Sequence, residues 1–231
     1  MDHRCCCAVV VAIAHHPIVV RAKVNPEIIA AHQKGLEITP AWYPLTRSDV
    51  RTTTINSGTL NTTLENVING QLPRRVLIAF VSNEAFNGSF KKNPFYFYHY
   101  DLNYLACFLN GDQYPRRAFQ PDFQNGLYTR EYLEFYRAIN QNLTDPHMTI
   151  KRENYNKGYT IFGLNFSPDM TDGPGMNGYI SQGRIGTMRI ELHFRKPFPE
   201  RINVFTFRNV FSEFDNLLLI PEDRNAIVDY H

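Results

Sequence analysis

The sequence predicts an all-β fold, a jelly-roll β-sandwich of two antiparallel sheets with short helices inserted in the connections. The main observation is an aromatic-rich strand at 98–109. Its even-numbered residues, one parity of the alternation, are apolar throughout, and its odd-numbered residues, the other parity, become apolar from Leu105 onward. Side chains alternate between faces along a strand, so this strand is buried first on one face and then on both. Asn110-Gly111 follows, a dipeptide that tight hairpin turns favour. Such a strand needs a second sheet to cover it.

The second observation is a group of three apolar strands near the C-terminus, at 185–194, 202–211 and 214–220. Pro197-Phe198-Pro199 separates the first two. Short strands that follow one another closely, with turn residues between them, are typical of antiparallel sandwiches.

The remaining strands are predicted from local alternation, at 18–24, 49–56, 74–82, 112–119 and 158–166. The apolar run within 74–82 favours the centre of a sheet, whereas the threonines of 49–56 favour an edge. Pro115 places 112–119 at an edge, because proline donates no hydrogen bond to the ladder. The segment 41–44 is interpreted as a loop.

Three helices are predicted in the connections. Asn25-Pro26-Glu27 begins the first, and Gly35 ends it. The second follows from Thr62-Thr63-Leu64-Glu65, which matches a capping box, and Gly70 ends it. The third spans 128–139, with Thr129 as its cap. Its apolar side is too wide for a free surface helix, so it is expected to cover a sheet edge or end.

Composition favours one domain in a reducing compartment. Residues 17–231 contain no internal repeat and no linker, so they are predicted to form a single domain. The formal net charge of +2 favours no charged partner. Cys5, Cys6 and Cys7 are adjacent in the sequence, and Cys107 lies alone in a strand that is predicted to be buried. This arrangement does not form a disulfide framework, so it favours a reducing compartment. Residues 1–16 are expected to be an atypical, disordered leader, because their apolar run is too short to span a bilayer.

No constellation in the sequence predicts catalysis, a cofactor or a metal. Glu191 and His193 share a strand face, as cupin ligands do, but no second histidine lies two residues away. A solvated polar face is the favoured interpretation. One further group has the composition of a calcium loop without its spacing: Asp169, Asp172, Gly173 and Gly175. The sequence has no nucleophile elbow, zinc-protease motif or phosphate-binding glycine loop.

The surface features favour a binding or building module. The long loop 167–183, with four glycines and two prolines, is a candidate contact surface. Basic residues are scattered in pairs on different elements, which favours solvated strand ends over specific nucleic-acid binding. These pairs are Arg74-Arg75, Lys91-Lys92, Arg116-Arg117 and Lys151-Arg152.

Several sequence blocks resemble the major capsid protein of Polinton (Maverick) virus-like transposons. The matches extend from about Arg21 to Tyr230, and their combination is more specific than any single block. The blocks are Gln71-Leu72-Pro73-Arg74-Arg75-Val76, Asn83-Glu84-Ala85-Phe86-Asn87-Gly88, Lys92-Asn93-Pro94-Phe95, Gln120-Pro121-Asp122-Phe123, Glu213-Phe214-Asp215-Asn216, Asp223-Arg224-Asn225 and Val228-Asp229-Tyr230.

This resemblance implies a capsid subunit of the double jelly-roll lineage, whose members form adenovirus-like and virophage-like particles. In that family two eight-stranded rolls stand in one chain, three chains form a pseudo-hexagonal capsomer, and no residue is catalytic. The present chain resembles the second roll alone. It is therefore expected to be a fragment or decayed copy that self-associates or requires a first-roll partner chain.

The expected further partners and location follow from the same resemblance. A penton or minor capsid protein is a possible partner, and neither a membrane nor a specific nucleic acid is expected. The location is a virion or capsid when assembled, and otherwise the nucleus or cytoplasm. Two alternatives stay open: a host-retained jelly roll that binds a protein or ligand, with 167–183 as its contact loop, and a cupin-like metal enzyme.

Overall fold

The computed structural model describes residues 9–13, 16–20, 24–47, 49–139, 150–166, 185–208, 214–221, 223, 225 and 227–229. The described strands are β1 Val9–Ile13, β2 His16–Val20, β3 Ala41–Arg47, β4 Asp49–Ile55, β5 Asn61–Gln71, β6 Arg75–Ser82, β7 Leu102–Leu109, β8 Asp112–Phe119, β9 Ile161–Asn165, β10 Ile185–Phe194, β11 Ile202–Arg208, β12 Phe214–Ile220 and β13 Ile227–Asp229. The described helices are α1 Pro26–Ile38, α2 Asn83–Phe86, α3 Thr129–Ala138 and α4 Arg152–Tyr155.

Eight consecutive strands, β4 to β11, form two four-stranded antiparallel sheets. One has the order β4-β11-β6-β9 and the other the order β5-β10-β7-β8. Counted from β4, these orders are first-eighth-third-sixth and second-seventh-fourth-fifth, which is the jelly-roll arrangement of two interleaved Greek keys. The predicted all-β jelly-roll sandwich is confirmed.

The core lies between these two sheets. Every residue of β6 is buried, as expected for a strand in the centre of its sheet. Phe80 of β6 meets Phe194 of β10 edge to face, with ring centroids 5.7 Å apart, so the two sheets interdigitate. Cys107 in β7 is completely buried, and this burial raises the pKa of its thiol. The predicted inert thiol is therefore found in the core.

Strand β7 is shorter than predicted, and the opposite parity faces the core. The chain becomes extended only at Leu102, because Tyr100 and Asp101 have φ values of 47° and 52°. Leu105, Cys107 and Leu109 pair with core residues of β10. Of the parity predicted to face the core first, Leu102 does lie in the core, whereas Tyr104 and Phe108 lie on the outer face, where His193 and Arg189 of β10 cover their rings. The predicted burial of both faces later in the strand is confirmed at Leu105, Ala106 and Cys107.

The prediction of a helix at 62–70 is wrong, because this segment is the strand β5. Leu64, Val67 and Ile68 are buried, and the strand pairs with β10 on either side of a bulge. The bulge occurs where Asn66 takes a φ of 51°. It shifts the burial pattern, so the apolar spacing imitates that of a helix.

Helix α3 lies in the connection between β8 and β9 and packs on the outer face of the first sheet. A Cβ on Gly163 of β9 would lie 2.6 Å from Ala138 Cβ and 2.9 Å from Phe135 Cα. The predicted covering helix is confirmed within one residue at each end. Its predicted cap is wrong: Tyr128 occupies the cap position, without a side-chain cap hydrogen bond.

The remaining strands of the roll agree with the sequence, with small differences in length. The predicted edge strands 49–56 and 112–119 correspond to β4 and β8, and both lie at sheet edges. The predicted strand 158–166 is β9, which is shorter. Residues 209–211 of the predicted strand 202–211 lie outside the described part of the chain.

The chain divides into two compact units, Met1–Tyr43 with Leu217–Asp229, and Pro44–Asn216 with Tyr230–His231. The roll belongs to the second unit. The first contains the β1–β2 hairpin and α1, and β12 and β13 belong to a three-stranded sheet of order β13-β12-β3. The prediction of one domain over 17–231 stays a prediction.

Three predictions for the first unit need correction. The segment 41–44 is part of β3 and is not a loop. Helix α1 continues past Gly35 to Ile38, because Gly35 instead accepts a hydrogen bond from the Thr39 N–H at the helix end. In the segment predicted to be a disordered leader, Val9–Ile13 pairs with His16–Val20. The predicted strand 18–24 overlaps β2, and residues 21–23 lie outside the described ranges.

Candidate interaction surface at one end of the roll

Four connections meet at one end of the roll, which we call the loop end: residues 56–60, 83–101, 120–160 and 195–201. Antiparallel strands of this order place alternate connections at the same end. Backbone hydrogen bonds join them: Gly58 N–H donates to Phe198 O at 3.0 Å, and Asn83 N–H donates to Arg201 O at 3.0 Å. Phe97 N–H donates to Gly158 O at 2.9 Å. The described parts of these connections are therefore held to one another.

Large aromatic side chains are exposed on the connection 83–101 and beside it. Phe90 is fully exposed and Phe95 is 74% exposed. We call the whole set the aromatic patch: Phe86, Phe90, Phe95, Tyr96 and Tyr159. Tyr159 adjoins the connection because Phe97 forms a parallel bridge with it, and the Tyr96 ring occupies the space where Gly158 has no Cβ. Several large exposed rings in and beside one connection favour an interaction site.

A three-residue ion network holds the shape of the connection. The Lys92 Nζ lies 2.7 Å from Glu200 Oε2 and 2.8 Å from Glu84 Oε2. These two carboxylates, Glu200 first, raise the pKa of Lys92, and Lys92 in turn lowers the pKa of Glu84. The Ser89 hydroxyl also donates to Glu84 at 3.1 Å. Through Glu200, the network attaches the turn that contains Phe90 to the connection 195–201.

Two open pockets flank this network. One, of about 530 Å³, is lined by Asn83, Glu84, Asn87, Gly88, Ser89, Glu200 and Arg201. The other, of about 410 Å³, includes the rings of Tyr96, Tyr98 and Tyr100 among its walls. Burial raises the pKa of Tyr100 to about 12, so its hydroxyl stays protonated. Both pockets are shallow depressions of the described surface, and neither brings together a set of catalytic groups.

A buried histidine supports the end of the connection. The ring of His99 stacks on Phe123 with centroids 4.1 Å apart, and its Nδ1 accepts a 2.9 Å hydrogen bond from the Asp101 N–H. Burial lowers the pKa of His99 to about 4, although Asp101 opposes the shift. Asp101 also pairs with Lys196 at 3.1 Å. His99 is therefore a neutral part of the core beneath the loop end.

A second ion pair at the loop end joins 120–160 to 195–201. The Arg195 guanidinium lies 3.1 Å from Asp122 Oδ2 and donates to Gln124 Oε1 at 2.9 Å. The hydrogen bond from Arg195 lowers the pKa of Asp122 to about 2. Asp122 also accepts from the backbone N–H groups of Gln124 and Asn125, which closes the turn.

The predicted Glu191–His193 pair lies on the outer face of β10, as expected from its spacing. His193 Nε2 is 3.0 Å from Glu191 Oε1, and the His193 ring stacks on Tyr104 at 4.6 Å. Both side chains are about one-third exposed. No group of three or more His, Cys, Asp or Glu side chains lies together among the described residues. In that part of the chain the pair belongs to a half-solvated face.

The basic pairs have different surroundings. The prediction of solvated strand ends is wrong for Arg74 and Arg75, which are buried at the start of the central strand β6. Lys92 belongs to the ion network described above. The remaining predicted members are exposed: Lys91, Arg116, Arg117, Lys151 and Arg152. The loop 167–183, including Asp169, Asp172, Gly173 and Gly175, lies outside the described residues.

Sequence reasoning missed the aromatic patch and its ion network. Phe86 and Phe90 are four residues apart and Phe90 and Phe95 are five apart, so the three rings together follow neither strand nor helix spacing. That irregularity was the available signal. An aromatic side chain every four or five residues in a segment rich in Asn, Gly and Lys indicates a loop that exposes rings. The partner Glu200 is distant in sequence and had no signal.

None of the described helices is long and apolar enough to cross a bilayer.

Comparisons with known proteins include one relative in sequence and one solved structure. No protein-family model matches the chain. An uncharacterized protein of Caenorhabditis elegans is 30% identical over 190 residues, which cover 81% of this chain and 43% of that protein. The chain therefore spans less than half the length of this relative. The crystal structure of the mavirus major capsid protein is similar with a TM-score of 0.40 and 17% identity, covering 91% of this chain and 44% of that one.

Proposed function

We propose that this chain is a capsid-type structural subunit, the second roll of a double jelly-roll capsid protein from a Polinton-like element, and that it works by association. The observation that carries the proposal is the aromatic patch at the loop end of the roll. Exposed aromatic surface favours association, and aromatic residues are enriched at the centres of protein interfaces. A structural role needs such a surface and no catalytic group.

The positions of the family-like sequence blocks support this proposal. Residues 83–88, 92–95 and 120–123 carry the resemblance to the Polinton capsid protein, and all three blocks lie in connections of the loop end. The first two blocks contain Phe86 and Phe95 of the aromatic patch. Residues that resemble the family thus coincide with the surface that is proposed to associate.

The proposed partners are copies of this chain or a separate chain that carries a first roll, with a penton or minor capsid protein as a further neighbour. In a double-roll subunit the second roll contacts the first roll of its own chain and that of a neighbouring chain. Wherever a first roll is not bound, both contact areas would face solvent. The proposed location is therefore a capsid when assembled, and the nucleus or cytoplasm otherwise.

Sedimentation velocity of the purified chain across a concentration series tests the proposal. We expect irregular oligomers that grow with concentration, because the exposed contact areas are not geometrically closed, and we expect closed shells to be rare by electron microscopy. A single monomeric species at every concentration would contradict self-association. That outcome would favour a host-retained binding module.

A pair of variants locates the association. Phe90→Ser with Phe95→Ser removes the two most exposed rings of the patch and should shift the distribution toward monomer. Ile185→Ser is the matched control, since Ile185 is 72% exposed at the start of β10, away from the loop end. Equal effects of the two changes would contradict a role for the patch.

A further inference from the structure

The roll has four edge strands, β4 and β9 in one sheet and β5 and β8 in the other. An edge strand presents unpaired N–H and C=O groups to any extended chain that approaches. Proteins therefore protect their edges with prolines, bulges, charges or covering groups. Three of these four edges are protected by a proline, a bulge or a covering group.

Strand β8 is protected by its own side chains. Pro115 interrupts it, and its register with β7 shifts between Leu105 and Cys107. The side chains of Gln113 and Arg130 donate hydrogen bonds of 2.6–3.3 Å to the carbonyl oxygens of residues 115–118. These carbonyls already have donors, so the edge offers little to another strand.

Strands β5 and β9 are protected by shape and length. The bulge in β5 and the positive φ of Asn66 bend that edge, which a straight partner strand cannot follow. Strand β9 has only five residues, and the Tyr155 hydroxyl donates to Ile161 O at 2.8 Å. The Phe97 bridge to Tyr159 covers the chain just before it.

Strand β4 has no proline, bulge or covering strand among the described residues, and its charged residues are Asp49 and Arg51. Its seven residues contain no proline and no glycine, and its register with β11 is unbroken over seven consecutive pairs. None of its residues has a positive φ. Val50 is 45% exposed, and Arg51, Thr52 and Thr54 are exposed as well. Among the described strands, none pairs with its outer side.

We infer that this edge is a self-association site, at which a second copy of the chain adds its own β4 in antiparallel orientation across a twofold axis. The inference rests on the proposed function and names the contact that carries part of it. An antiparallel pair of identical strands needs residues of the same face opposite one another. With Thr52 opposite Thr52, the whole strand pairs, and Val50 lies opposite Thr54 on one face. Arg51 then lies opposite Thr53 on the other.

The composition of β4 favours this register over its neighbours. Shifting the axis to Arg51 would place two guanidinium groups opposite one another, and like charges in that position are destabilising. Shifting it to Thr53 would pair only residues 51–55 within the strand and leave Val50 outside the contact. The register through Thr52 instead matches β-branched residues with one another on the face of Val50, Thr52 and Thr54, which antiparallel sheets favour. On the other face Arg51 lies opposite Thr53 and Asp49 opposite Ile55, so no like charges meet.

The twofold symmetry of this contact distinguishes it from the contacts within a threefold capsomer. An isologous contact uses the same patch twice and joins chains in pairs, whereas a threefold ring needs two different patches. The β4 edge would therefore join neighbouring building blocks, and the loop end and other surfaces would act within a block.

A charge-reversal experiment tests the register, because Thr52 is its own partner. Thr52→Lys or Thr52→Glu alone places like charges opposite one another and should weaken pairing about tenfold in apparent Kd. Mixing the two variants in equal amounts should restore pairing, measured by sedimentation. Thr63→Lys is the matched control, an exposed threonine on the protected edge β5, and should have no effect.

A cross-link gives a second, independent readout. Directly opposite residues of an antiparallel pair have Cα atoms about 4.5–5.5 Å apart, which a disulfide can bridge. Thr52→Cys, in a background with Cys5, Cys6 and Cys7 changed to Ser, should therefore form a covalent dimer under mild oxidation. Thr63→Cys in the same background should not.

The outcomes distinguish this inference from the function on which it rests. If the wild-type chain associates while Thr52→Lys has no effect and Thr52→Cys forms no dimer, the β4 contact is wrong and the structural role stands. If the wild-type chain stays monomeric at every concentration, both are wrong. Rescue in the mixture together with the covalent dimer would establish the contact.

Discussion

Protonation of the His99 imidazole at the loop end should lower the stability of the fold. Its pKa of about 4 in the folded state lies below the ordinary value of 6.5, because burial disfavours the imidazolium. Between these pH values the unfolded chain binds the proton more readily. Above pH 6.5, His99 should therefore not reduce the free energy of unfolding. As the pH decreases from 6.5 toward 4, that free energy should fall by up to about 3 kcal/mol.

Urea unfolding near neutral pH and near pH 4 measures this loss. His99→Gln keeps a neutral side chain that accepts a hydrogen bond, so its unfolding free energy should change less between the two conditions. Carboxylates such as Asp122 titrate in both proteins and cancel in the comparison. Identical pH profiles for the two proteins would show that His99 is not the responsible group.

Gly163 fixes the approach of α3 to the sheet. A methyl group there would meet the backbone of Phe135 as well as the Ala138 side chain, and backbone moves only with the whole helix. Gly163→Ala should therefore destabilise the protein by about 1–3 kcal/mol through overpacking, measured by chemical denaturation.

Gly35 provides the matched control for this substitution. It lies inside α1, and apart from its chain neighbours and the backbone of its own helix no described atom lies within 4 Å of the position that an added methyl group would take. Gly35→Ala should stabilise that helix by up to about 1 kcal/mol. The opposite signs of the two changes would separate steric crowding from helix propensity.

At the scale of elements, α3 stabilises the fold because its side chains are buried against the sheet that it covers. Phe135 is 2% exposed, and it contacts Tyr136 and Tyr155 edge to face or tilted. Phe135→Ala should cost about 3–5 kcal/mol of unfolding free energy, because it leaves a cavity between helix and sheet. Leu127→Ala, at a residue that is 66% exposed, is the control and should be nearly neutral. A small effect of Phe135→Ala would mean that the helix is not docked there.

Elements with regular periodicity could be predicted from the sequence, and irregular ones could not. The alternation in β10 and the proline in β8 predicted a strand and its edge position correctly. In β5 the bulge at Asn66 breaks the period of two, and the strand imitates a helix. Local chemistry cannot reveal a bulge that is imposed by the partner strand β10.

The burial of β7 illustrates a second limit. Both parities of this strand are apolar after Leu105, so the sequence does not say which faces the core. The structure places Leu105 and Cys107 inside, while Arg189 covers the Phe108 ring with its guanidinium carbon 4.2 Å from the centroid. That choice depends on β10, which lies about 80 residues further along the chain.

The loop end could be predicted only in part. The turn residues of 83–93, which include Asn87-Gly88, indicate a loop, but its ion network needs Glu200 and its packing needs Gly158, both supplied by other connections. Such contacts arise from the sheet order, which no local pattern specifies. The candidate surface therefore became visible only with the tertiary fold.

At the scale of the whole molecule, the response to salt distinguishes the proposed modes of association. Contacts through the aromatic patch bury apolar surface, which salt does not screen, whereas surface ion pairs weaken as the Debye length shrinks. Oligomers of the wild-type chain should therefore persist or grow when the salt concentration rises to about 0.5 M. Dissociation on adding salt, seen by sedimentation, would contradict an apolar contact.

The pairing of β4 with β11 also has a consequence for biosynthesis. Strand β4 leaves the ribosome before its partner β11, which is made roughly 150 residues later, a delay of about ten to thirty seconds at ordinary translation rates. Until then β6 also lacks its neighbour β11, and neither strand has a completed sheet. A nascent chain in this state exposes β-prone segments to other nascent chains on the same messenger RNA. Ribosome spacing and chaperone binding during this interval would therefore influence how much of the chain reaches the folded roll.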